Sequence, residues 1–160
     1  MSGEFNVKPG DFSDTGNAAV FSVAYKGLLA WCDALGWLYF NDKRWEENEH
    51  KAVDAATALT DWMLDDARAE YALVVQREAD AKTAVANEVE GAKDELKAAQ
   101  KAVTNAKLYI AHVQKSRNAA RIRGYWISQK PLWWSRRLSW ILTHFCSTHP
   151  AARLICAPGN

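Results

Sequence analysis

The sequence predicts a mainly α fold. A short aromatic β-hairpin lies near the N-terminus, followed by a long antiparallel, coiled-coil-like helical hairpin and a short final helix. Three observations predict it. An aromatic stretch, Leu28–Trp45, is broken by two turn signals. Apolar residues recur at three- and four-residue steps from Glu49. A second run, from Val85 to Val113, alternates four and three without a break.

The elements follow in order. Residues 1–14 are polar with Gly and Pro and read as a flexible arm. Asp14 or Thr15 caps a short helix over Asn17–Ala24, with Ala18, Val20, Phe21 and Ala24 on its inner side. Within 28–45, strands are expected near Leu29–Cys32, Trp37–Phe40 and Arg44–Trp45. Trp37 and Tyr39 share one face, Leu38 and Phe40 the other. These aromatics suit either a base-stacking platform or a small core under the hairpin. Val53, Ala56, Leu59, Met63, Ala67, Tyr71 and Val74 mark a first long helix over about 49–78. The packing seam of the second, over about 84–115, is Val85, Val89, Ala92, Leu96, Ala99, Val103, Ala106, Ile110 and Val113. Its alternate positions are largely alanine, which suits close helix approach. The turn is placed near Asp80–Thr83, and Gly91 at an outward position inside the helix; a single long rod is the alternative. Ser116 reads as the N-cap of a last helix, Asn118–Ser128, that Pro131 ends.

Charge is polarised along the chain. All 19 Asp and Glu lie at or before Glu95, against 9 Lys and Arg, a net of −10. From Leu96 onward there are 11 Lys and Arg and no acid, a net of +11. Either the two halves pair with each other, or the basic half is a nucleic-acid face. Lys107, Lys115, Arg117, Arg121 and Arg123, preceded by Lys97 and Lys101, are the candidate phosphate contacts. No run of about 18 apolar residues is present to span a membrane, and MSGEFNVKPGDFSD has no apolar core for a secretory signal. Three scattered cysteines, Cys32, Cys146 and Cys156, fit a reducing, cytoplasmic setting.

Three stretches together resemble a known family. They are DTGNAAVFSVAYKG (Asp14–Gly27), LGWLYFNDKRWEEN (Leu35–Asn48) and YIAHVQKSRNAARIRGYWISQKP (Tyr109–Pro131). They are similar to the Asn-Ala opening, the tryptophan-rich hairpin and the Lys-Ser…Arg-Ile…Lys-Pro helix pair of the D-five N-terminal-like domain. That domain precedes the superfamily-three helicase in phage and plasmid primase–helicases. Asp42-Lys43 departs from the family's Asp-Gly, and the alanine-rich heptad falls where the family varies in length. The resemblance makes 15–131 one such helical domain. It implies a non-catalytic accessory and assembly module in DNA replication, with DNA and self-association as the expected partners.

The tail, 132–160, breaks the resemblance. It carries no acid and three of the eight tryptophans, where the family has an acidic, Pro-rich linker. Codons permitted for Leu132–Asn160, read one nucleotide out of frame, allow VVESPAFMDPDPFLLNTPGSSTDLRTGQ, which resembles that linker. The expectation is an out-of-frame, poorly packed tail on a truncated primase–helicase. The alternative is an independent coiled-coil interaction or DNA-binding protein.

No phosphate-binding G-x-x-x-x-G-K-[ST] loop occurs, so neither catalysis nor a cofactor is expected of the chain. His144, Cys146, His149 and Cys156 match no usual zinc spacing. His112 reads as a solvated or packing histidine. Asp65-Asp66 and Asp94-Glu95 read as solvated carboxylates on outer helix faces.

Overall fold

The structure, a computed structural model, describes residues 5–32, 35–118 and 122. The element order is α1 (Asp14–Ala24), β1 (Leu29–Cys32), β2 (Gly36–Phe40), β3 (Trp45–Glu47), α2 (Glu49–Ala86) and α3 (Ala92–Ser116). The mainly α class, the small sheet and the antiparallel helical hairpin are therefore as the sequence predicts. Apart from Asn118 and Ile122, the expected final helix lies outside the described residues, as do Arg121, Arg123 and the tail 132–160.

Helix α1 begins earlier than its periodicity suggests, because Ser13 and not Asp14 or Thr15 caps it. The Ser13 hydroxyl accepts from the Gly16 N–H at 3.0 Å. The residues before it, expected to be a loose arm, carry contacts to the helical hairpin. Lys8 pairs with Glu70 at 2.6 Å, and Phe12 stacks on Tyr109.

The sheet is antiparallel in the order β1-β2-β3, with Leu29 opposite Tyr39, Trp31 opposite Trp37, and Phe40 opposite Trp45. Strand alternation divides its side chains as expected. Leu29, Trp31, Trp37 and Tyr39 face the helices, in a core with Phe21, Ala52, Ala56, Leu59 and Met63. Ala30, Leu38 and Trp45 form a second cluster on the other face, with Cys32, Leu35 and Phe40 against it. Trp37 is 2% exposed and meets Phe21 and Trp31 edge-on, so it belongs to the core and presents no face for a stacked base. In the β2–β3 turn Asn41 Oδ1 accepts from the N–H groups of Lys43 and Arg44, and Asp42 takes φ 68°. Glycine takes such a left-handed position most readily, and asparagine or aspartate next.

Helix α2 has 38 residues and runs eight beyond its expected end. At 1.5 Å per residue it is about 57 Å long. The stretch after residue 78, ADAKTAVA, has no Gly or Pro to stop it. The turn comes at 87–91 instead. Glu88, at φ 56°, takes the left-handed position of a Schellman motif: its N–H bonds Val85 O, and the Val89 N–H bonds Ala84 O. Gly91, at φ 77°, caps α3 and is not an outward position within a helix. Val85 consequently belongs to α2, and Val89 is an exposed turn residue.

Ala92, Ala99, Val103, Ala106 and Val113 are buried, and Leu96 and Ile110 are half-buried. Helices α2 and α3 make the most extensive packing among the described elements. The alanines at Ala56, Ala67, Ala99 and Ala106, each at most 1% exposed, let the two backbones approach.

Candidate nucleic-acid interface

The two faces of α3 have opposite character. One face carries the seam. The other carries Lys93, Lys97, Lys101, Lys107 and Lys115, all exposed. After Glu95 the helix has no acid, so Lys97 to Lys115 is a ridge of about 27 Å with positive charge alone. Ion pairing engages little of it. Lys97 meets Asp94 at 3.4 Å, a short-range pair within the same helix. Lys101, Lys107 and Lys115 make no ion pair with a described residue.

The polarised charge is therefore only slightly cancelled between the two long helices. Arg117 reaches Asp61 at 2.5 Å, the one ion pair among the described residues between a base after Leu96 and an acid of α2. Arg77 to Glu95, at 3.8 Å, runs in the opposite sense. Of the five expected phosphate contacts, Lys107 and Lys115 are free to meet a ligand. Arg117 is exposed but held by Asp61. Arg121 and Arg123 lie outside the described residues. Lys97 and Lys101 share the ridge with Lys107 and Lys115.

At the sheet end of the hairpin α3 builds a polar node that sequence reasoning missed. Asn17 Nδ2 donates to Ser116 Oγ at 3.0 Å, and both residues are fully buried. This orientation leaves Asn17 Oδ1 to accept from His112 Nε2 at 2.9 Å. Phe12 stacks over His112 at 5.5 Å and over Tyr109 at 5.3 Å. His112 is thus a packing histidine. Gly16 precedes the node because a Cβ there would stand 2.3 Å from the Asp11 carbonyl oxygen. The Gly-Asn-Ala string thereby acquires physical reasons: close backbone approach, a buried amide, and a small buried side chain at Ala18.

Tyr109 is fully buried, and its hydroxyl donates to Asp66 Oδ2 at 3.2 Å. Asp66 is therefore a half-buried acceptor, unlike its neighbour Asp65, which is exposed beside Arg68. Burial, with Asp66 and Glu70 nearby, holds the Tyr109 hydroxyl well above the ordinary tyrosine range. The sign of the consequence is fixed. The folded state resists ionising Tyr109, whereas the unfolded chain ionises it near pH 10. Stability is thus complete below about pH 10 and falls as pH rises beyond it. In alkaline titration followed by circular dichroism, Tyr109→Phe should shift the unfolding midpoint upward.

Among the described residues no group of three His, Cys, Asp or Glu is gathered as a metal site, and no helix is long and apolar enough to cross a membrane. Comparison with protein-family models, curated proteins and solved structures gives no match.

Proposed function

We propose that the chain is a non-catalytic accessory and assembly module of a DNA primase–helicase, and that the outer face of α3 holds nucleic acid by its phosphate backbone. The observation that carries the reading is the ridge Lys97, Lys101, Lys107 and Lys115, exposed, free of neighbouring acids after Glu95, and carried on a helix held rigid by its other face. Ammonium groups on such a ridge neutralise phosphates without reading bases, so binding is sequence-tolerant and salt-sensitive. The resemblance to the region upstream of a replicative helicase supports the same reading.

Reversing Lys97, Lys101, Lys107 and Lys115 to Glu together is expected to weaken single-stranded DNA binding at low salt by about 10- to 100-fold. The helical circular-dichroism signal should not change, because the four side chains are exposed. Equal binding by the variant and the parent would refute the proposed face.

A second reading, an independent helical interaction protein, draws on a different observation. Trp62 and Leu73 are large, apolar and exposed on α2.

A further inference from the structure

The outward faces of α2 and α3 match one another. On α2, Trp62, Ala69, Leu73, Gln76 and Asp80 fall on one side of the helix at steps of seven, four, three and four, and all are exposed. On α3, Lys97, Lys101, Thr104, Leu108, Ala111 and Lys115 fall at steps of four and three, and all are exposed. These are the spacings of a helix-packing seam, repeated on faces that the intrachain seam does not use.

The charges also complement each other. Helix α2 carries 8 acids against 4 bases, and α3 carries 5 bases against 2 acids. Laid antiparallel, the stripes bring Trp62 to Lys115, Ala69 to Leu108, Leu73 to Thr104, Gln76 to Lys101 and Asp80 to Lys97. Large residues meet small ones in the middle, an ammonium meets an indole at one end, and an ion pair closes the other. The level is also that of the intrachain hairpin, in which Asp61 meets Arg117 and Asp66 meets Tyr109. A second copy can therefore lie alongside with little axial shift.

We infer that the occupant of the exposed α2 face is the α3 face of a second copy of this chain. The contact is heterologous. Each copy offers one acidic-apolar face and one basic face, so association passes beyond the dimer, by closing a ring or continuing as a row. Nucleic acid on the lysine ridge and a neighbouring copy would compete for Lys97, Lys101 and Lys115. The inference does not require the nucleic-acid reading, and it is tested without nucleic acid.

The full chain is examined by light scattering over a concentration series at low salt. A mass that rises with concentration past twice the monomer is expected, and Trp62→Ser with Leu73→Glu should return it to the monomer. Both positions are exposed, so the variant keeps its fold, and it keeps the lysine ridge for a separate DNA-binding measurement. The register is read by mixing an Ala69→Cys chain with a Leu108→Cys chain under mild oxidation. A mapped disulfide between positions 69 and 108 is expected only in the mixture. A monomeric mass at every concentration, association unchanged in the Trp62/Leu73 variant, or no 69–108 linkage would each overturn the inference.

Discussion

Met63→Ala is expected to destabilise the fold by about 2–5 kcal/mol, the range for truncating a buried long aliphatic side chain. Met63 is fully buried where α2 meets the sheet, in one core with Phe21, Trp37, Leu59 and Val113. That core draws on α1, the sheet and both long helices, so a cavity there is felt by every element. Much of the wall is already small: Ala52, Ala56 and Ala67 line the same core. They can contribute little to refilling the space, which places the cost toward the upper end of the range. Urea unfolding followed by tryptophan fluorescence gives the value directly. Trp62→Ser, a substitution on the same helix at an exposed position, should cost far less and separates burial from helix propensity.

Asn17→Ala should cost about 2–4 kcal/mol, because it removes a fully buried amide that bonds two side chains at once. Ser116 Oγ loses the donor at 3.0 Å, and His112 Nε2 loses the acceptor at 2.9 Å. The node also joins α1 to the end of α3 across 99 residues of chain, so it fixes where the two ends of the domain meet. A double-mutant cycle with Ser116→Ala isolates the pair. If the hydrogen bond is what matters, Asn17→Ala should cost less in the Ser116→Ala background, with a coupling of about 0.5–3 kcal/mol. Additive effects would mean that the bond to Ser116 contributes nothing, leaving the His112 bond and the filled space as the source of the cost.

Much of the fold is legible in the sequence because the strong signals are periodic. The four–three alternation from Ala92 to Val113 reports the face of α3 that meets α2. The alternation from Leu29 to Phe40 separates the two sides of the sheet. The turn between the long helices comes later than the periodicity suggests because Ala79 to Ala86 is half alanine and favours continued helix. The stop comes from backbone conformation at Glu88 and Gly91. Read within the heptad, Gly91 counts as a tolerated glycine. Its left-handed φ makes it a cap, and that moves Val85 and Val89 off the α3 seam.

The candidate site divides in the same way. A ridge of lysines without acids is a composition signal, and Lys97, Lys101, Lys107 and Lys115 carry it openly. The pairing of Arg117 with Asp61 depends on which level of α2 faces the end of α3, and only the position of the turn sets that. The node at Asn17, His112 and Ser116 is invisible to periodicity because its members are polar and Asn17 lies 95 and 99 residues from the other two. Tyr109 and Ser116 nonetheless continue the α3 seam at three-residue steps from Ala106 and Val113, and that spacing is the signal that could have placed them inside.

The most direct test of the central claim is the salt dependence of single-stranded DNA binding by the intact chain. Four lysine–phosphate contacts predict that the logarithm of the affinity falls against the logarithm of salt with a slope of about −3, so binding weakens by roughly 50-fold between about 50 and 200 mM. In the variant with Lys97, Lys101, Lys107 and Lys115 changed to Glu, the slope should collapse toward zero along with the affinity. Absence of binding at low salt, or a slope that the four substitutions leave unchanged, would contradict the account.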